Sequence, residues 1–351
     1  MSNSDIDTQL LLFRRQYLQL FEPDFLAWPP PQLLRSSDAQ TWLHKNLFDE
    51  SRNPRLPPAR YQLRVLQPLV TRIEKAIHHA GEGELCDDLK ARLASLSTHG
   101  FPSESLAVQE NAYVTFTCLP EHRVSSEEND DAADDPTVTL LEHRSLVQGS
   151  KVTGYRTWEA ALHLGAYLLT EAGARLVAGK SVLELGAGTG FLAVLCAKHL
   201  QARHVTTTDG DAGVVHCLRH NLRLNGLDDG RRVKEAKRLW WGEELRGMWV
   251  EEACECEGYD VVVGADITYE KGAVMTLALT LQHLFDLRPR LVVIIAGVVR
   301  NATFQAFRDE CVRRDFLVEE VQFGVKPMRE QKCLFYAAAM PIKILKITRP
   351  A

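Results

Sequence analysis

The chain has 351 residues, 45% of them hydrophobic, and a net charge of −5, with a pI near 6.2. That length can bury a sizeable core and suits one large domain with an additional part. The charge balance argues against a nucleic-acid protein, whose affinity rests on phosphate neutralisation, and no apolar run is long enough to span a membrane.

The N-terminus carries no signal-peptide pattern. Ile6, Leu10, Phe13, Tyr17 and Leu20 mark one apolar helical stripe, with Asp5 and Asp7 near its start. Trp28-Pro29-Pro30-Pro31 reads as a rigid extended break. Trp42, Leu43 and Leu47 belong to a second helix. Tyr61, Leu66, Leu69, Ile73 and Ile77 lie on a longer one, expected to bend at Pro68. Leu85, Leu89, Leu93 and Leu96 form a last stripe. Residues 1–105 are therefore read as a helical domain without a catalytic constellation, either a substrate or partner platform or a packing extension.

Residues 106–150 change to strand patterning. Ala112–Leu119 and Thr137–His143 are β-prone and flank an acidic segment, 125–135, which predicts a hairpin with a long solvated tip.

Residues 151–351 alternate strands and helices, which requires a parallel sheet with right-handed crossovers. The run Ser181-Val182-Leu183-Glu184-Leu185-Gly186-Ala187-Gly188-Thr189-Gly190-Phe191 reads as a buried strand, a glycine turn and the first turn of a helix. Its glycines do not keep the G-x-G-x-x-G spacing of a dinucleotide site. His204–Thr208 is a second strand ending in Asp209, placed to grip a ribose diol. Asp211 is expected to cap the helix that ends near Asn225-Gly226. Further strands are expected at Val233–Leu239, Tyr259–Ala265 and Leu291–Ala296, with helices over about 270–285 and 303–314. Leu317–Phe323 and Leu334–Met340 are expected to close the sheet edge as an antiparallel hairpin. The eight cysteines are scattered, and Cys254-x-Cys256 has neither metal-site spacing nor a second half. They read as reduced thiols of a cytoplasmic protein with no metal centre.

An acid inside the strand, as in E-L-G-x-G-x-G, resembles motif I of S-adenosylmethionine (SAM) methyltransferases. Three further motifs stand in order around it: Gly154-Tyr155-Arg156-Thr157-Trp158, Leu239-Trp240-Trp241-Gly242 and Asp266-Ile267-Thr268-Tyr269. Together they resemble methyltransferase family 16, the seven-strand enzymes that methylate lysines of folded proteins, over residues 150 to 340. The fold class this implies is α/β: a class I, Rossmann-like doubly wound sheet with an antiparallel edge hairpin, plus the mainly helical N-terminal domain. The order of elements in that N-terminal half is similar to the extension of elongation factor 2 lysine methyltransferases. The resemblance implies SAM as cofactor, a lysine of translation elongation factor 2 as substrate, and trimethylation as the outcome.

Site roles follow as expectations. Glu184 would meet the methionine amino group, directly or through water, and Trp158 would border that end of the cofactor. Gly186, Ala187, Gly188 and Gly190 would allow close backbone approach, with Ala265 beside them. Asp209 would hold the ribose, and Trp240 or Trp241 would flank the adenine. Asp266 would receive the incoming ammonium and Tyr269 would line the transfer channel. Arg300-Asn301 reads either as a substrate lip or as a helix cap. The chain is expected to act as a monomer on a protein, without nucleic-acid or membrane partners. Methylation of another protein or of a small molecule, and a non-catalytic binding module of the same fold, are the alternatives.

Overall fold

The computed structural model describes residues 8–98, 111–125, 135–143, 153–256, 258–299, 302–337 and 339–350. The expected boundaries near 105 and 150, most of the acidic segment, and Arg300-Asn301 lie outside these residues. The chain divides into two compact units, Met1–Thr117 with Ser125–Ser145, and Cys118–Val124 with Leu146–Ala351.

In the first unit, α1 (Thr8–Leu18), α2 (Pro31–Leu34), α3 (Ser37–Leu43), α4 (Ala59–Ala80) and α5 (Asp87–Thr98) gather around one apolar core. Phe13 and Tyr17 of α1 meet Leu43, Leu47 and Phe48, and α4 contributes Leu66, Leu69 and Ile73 at helical spacing. α4 runs unbroken through Pro68, because the 22-residue helix is anchored by a continuous buried stripe on either side of it. The hairpin of β1 (Asn111–Thr117) and β2 (Thr137–His143) pairs in register from Asn111↔His143 to Thr117↔Thr137. Asp135, read from the sequence as part of a solvated tip, is instead buried. It accepts two bonds from the Arg15 guanidinium, at 2.8 and 3.0 Å.

The second unit carries a seven-stranded sheet in the order β5-β4-β3-β6-β7-β9-β8. Its strands are β3 (Ser181–Leu185), β4 (His204–Asp209), β5 (Val233–Arg238), β6 (Val261–Ala265), β7 (Val292–Val298), β8 (Leu317–Val321) and β9 (Ile342–Thr348). The first five are parallel, and β9 runs antiparallel between β7 and β8. The last four residues of the segment Cys118–Val124 belong to α6 (Glu121–Ser125). The other helices are α7 (Glu159–Leu168), α8 (Glu171–Val177), α9 (Phe191–Lys198), α10 (Ala212–Leu224), α11 (Trp249–Cys256), α12 (Lys271–Leu287) and α13 (Ala302–Arg313). Every residue of β3 is buried, as expected of a central parallel strand. The strand order reverses between β3 and β6, so the crevice beyond their carboxyl ends is the natural ligand position.

The edge hairpin forms with a different partner from the one expected. Its last strand is Ile342–Thr348, not Leu334–Met340. Leu334, Phe335 and Tyr336 are buried, but Leu334 adopts a φ of 46° that no strand accommodates. The Gln331 amide binds the carbonyls of Lys326 and Tyr336 and accepts from the Tyr336 N–H, folding the segment into a loop.

Candidate active site

A cleft of about 450 Å³ opens at the carboxyl ends of β3, β4 and β6, within the range of small-molecule sites. It is lined by Trp158, Glu184, Gly186, Ala187, Gly188, Asp209, Trp240, Trp241, Ala265, Asp266 and Tyr269. Eleven of the twelve expected site residues therefore converge on one crevice. Gly190 is the exception. It stands at the start of α9 with φ 86°, and a Cβ there would lie 2.4 Å from Leu218 Cδ1, so packing and backbone conformation demand the glycine.

The turn after β3 leaves a bare backbone floor. Gly186 has φ 62°, and a Cβ on it would lie 2.5 Å from Ile267 Cγ2 and 3.2 Å from Trp241 Cζ2. Trp241 is half-buried and packs on the core, whereas Trp240 is 50% exposed, with the Arg238 guanidinium 4.9 Å from its ring. Of the two indoles, Trp241 is thus the one set against the glycine turn.

Five carboxylates line the cleft, Glu184, Asp209, Asp211, Asp266 and Glu270, and the first four have distinct settings. Glu184 is only 2% exposed, and burial pushes its carboxyl up to about 8 despite a 2.8 Å bond from the Thr207 hydroxyl. Asp209 accepts from the N–H groups of Gly188 (3.1 Å) and Asp211 (3.0 Å), which oppose an upward shift caused by burial. Asp211 caps α10 by accepting from Val214 N–H at 2.9 Å.

Asp266 has a feature that sequence reasoning missed. Trp158 is the N-cap residue of α7 but has no side-chain acceptor to offer. Asp266 supplies it from the loop after β6, accepting from Ala160 N–H at 3.3 Å, while its other oxygen lies 3.4 Å from Val298 N–H. Its φ is 52° and its own N–H donates to Ala296 O at 2.9 Å. Tyr269 is 58% exposed, its hydroxyl 3.3 Å from that of Thr153. Arg156 also lines the cleft, its guanidinium 5.1 Å from the Trp158 ring. It lies inside the first motif and was legible only as part of it. The Trp158 indole donates to Thr153 O at 3.0 Å, which fixes the ring at the rim.

A sequence profile described as Lysine methyltransferase matches residues 140–310. Protein-lysine N-methyltransferase EFM3 of Chaetomium thermophilum is 43% identical over 343 residues, covering 97% of this chain and 98% of that protein. The chain belongs to the lysine methyltransferase family. EFM3 of Saccharomyces cerevisiae is 31% identical over 235 residues, 62% of this chain and 67% of that relative. Protein-lysine N-methyltransferase EEF2KMT of Homo sapiens is 29% identical over 225 residues, 60% of this chain and 64% of its own length.

Family and fold are those of SAM-dependent class I methyltransferases, and the residues present fit such a cofactor. The glycine floor at Gly186 would be filled by any side chain, Glu184 offers a buried carboxyl, and Asp209 ends the neighbouring strand. Among the described residues, no helix is long and apolar enough to cross a membrane.

Proposed function

We propose that this chain transfers methyl groups from SAM to a lysine of translation elongation factor 2. The observation that carries the reading is the convergence of the glycine turn, Asp209, Trp241 and the Asp266–Tyr269 loop on one crevice at the sheet's reversal point. Support for the substrate comes from the likeness of the N-terminal half and from a protein-lysine methyltransferase relative that aligns along nearly the whole chain. The protein works in the cytoplasm, as a monomer.

When bound, the cofactor supplies an electrophilic methyl group on a sulfonium. The chain's residues hold it and prepare the nucleophile. Glu184 receives the amino group of the methionine end and Asp209 the ribose hydroxyls. Gly186, Ala187 and Gly188 admit the ligand against the backbone, with Ala265 and Trp158 alongside, and Trp241 forms the wall for the adenine.

A lysine with a pKa near 10.4 costs roughly 4–5 kcal/mol to deprotonate at pH 7. Desolvation on entering a crevice lowers that cost, and fixed orientation adds an effective-molarity gain. A strong base is therefore unnecessary. Asp266 attracts the incoming ammonium and orients the amine, and Tyr269 borders the path with its ring.

Recombinant elongation factor 2, incubated with this protein and SAM, is expected to gain methyl groups on a single lysine by peptide mass spectrometry. An unmodified factor beside a methylated second protein in the same lysate would remove the substrate assignment and keep the chemistry.

A further inference from the structure

The first unit holds a second cleft, of about 500 Å³, that methyl transfer does not use. Leu34 and Ala76, both buried, form its floor between α2 and α4. Four cationic or protonatable side chains surround it: Arg35 after α2, and Arg72, Lys75 and His79 along α4. All four are exposed. Among the described residues none of them has a carboxylate partner, although the chain as a whole is acidic, at −5. Unpaired like charges repel one another, so their gathering around one concavity costs stability that folding alone does not need.

We infer that this cleft is a docking site for an acidic, extended segment of a protein partner. Helical spacing puts Arg72, Lys75 and His79 on one face, with roughly 5–6 Å between successive Cβ positions. Same-side residues of an extended peptide are about 6.6 Å apart, so alternate carboxylates can meet successive cations. The only acid of α4, Glu74, points about 100° away from Lys75 and does not line the cleft.

Single-stranded nucleic acid fits less well. Its affinity needs exposed aromatic faces for stacking, and the Trp28 indole already carries the Arg72 guanidinium 4.4 Å from its centroid. The Gln40 amide donates to Leu34 O at 3.0 Å and Glu84 O at 3.3 Å, which ties down the end of α2 beside the cleft. This site does not depend on the methyl-transfer reading.

The test is fluorescence anisotropy of the full chain with a labelled synthetic peptide alternating Glu and Ala, at low ionic strength. Binding is expected, weakening with added salt. R35E/K75E, which spares the Arg72–Trp28 contact, and R72E/K75E should each weaken it by about tenfold or more with unchanged circular dichroism. The inference is overturned if the wild-type chain does not bind the peptide, or if R35E/K75E binds it as tightly as wild type. Displacement of the peptide by an oligouridylate of equal charge at lower concentration would also overturn it, by making the cleft a phosphate site.

Discussion

Asp266 joins an observed duty to the one proposed for it, and its position in the sequence does not separate them. Its carboxylate closes the uncapped start of α7, and the same group lines the cleft proposed to take the lysine. Aspartate and asparagine tolerate its left-handed backbone better than other side chains do. Asp266→Asn therefore keeps the conformation and an acceptor oxygen while losing the charge. It is expected to retain affinity for S-adenosylhomocysteine by calorimetry while turnover falls by about 10²-fold. Parallel loss of affinity and turnover would reduce Asp266 to a helix cap. Glu184 yields a pH signature. Its carboxyl rises from 4.5 unfolded to about 8 in the fold, so the folded chain holds a proton that the unfolded chain releases. The stability this contributes is full below pH 4.5 and is lost as pH climbs through about 8. Thermal melts of the ligand-free protein should decline across that window, and Glu184→Gln should flatten this part of the decline. A cationic amino group favours the ionised carboxyl, so cofactor affinity of the wild-type chain should increase with pH over the same interval.

At the level of elements, Gln331 decides what the chain does before its last strand. Three bonds from one nearly buried amide hold a loop together, so Gln331→Ala should lower stability by about 2 kcal/mol in urea titration. An unchanged midpoint would mean that the buried Leu334, Phe335 and Tyr336 suffice to hold it. The parallel strands were legible because each combines an apolar run with a following turn or helix signal, as in Val182–Leu185 before Gly186. The last strand was misplaced because Leu334-Phe335-Tyr336 has strand-like composition and the loop is imposed by a side chain upstream. Alternation along Ile342-Lys343-Ile344, with the lysine less buried than its neighbours, was the overlooked signal. For the cleft, spacing along the chain located eleven positions. It did not reveal that Gly190 is a packing glycine, since Leu218 approaches it from another helix. Nor did it show that Asp266 braces α7, because Ala160 and Val298 lie 106 and 32 residues away.

For the molecule as a whole, the chain passes between its two units at residues 117/118, 124/125 and 145/146. The short excursion is fastened within the second unit: Glu121 N–H donates to Leu169 O at 3.1 Å, and its carboxylate accepts from Glu171 N–H at 3.2 Å. A fragment beginning at residue 146 lacks these contacts and should melt below the second unit's transition in the full chain by scanning calorimetry. Equal melting temperatures would show that 118–124 contributes nothing to that unit. The same threading sets an order of assembly during synthesis. Arg15 leaves the ribosome well before its carboxylate partner Asp135, and β1 waits for β2 to emerge through His143. The apolar core of the amino-terminal helices is complete by Leu96, but the first unit gains its Arg15–Asp135 pair and its hairpin only later. A nascent chain halted before residue 135 would present a strand edge with no mate and an arginine without the carboxylate it meets in the finished fold.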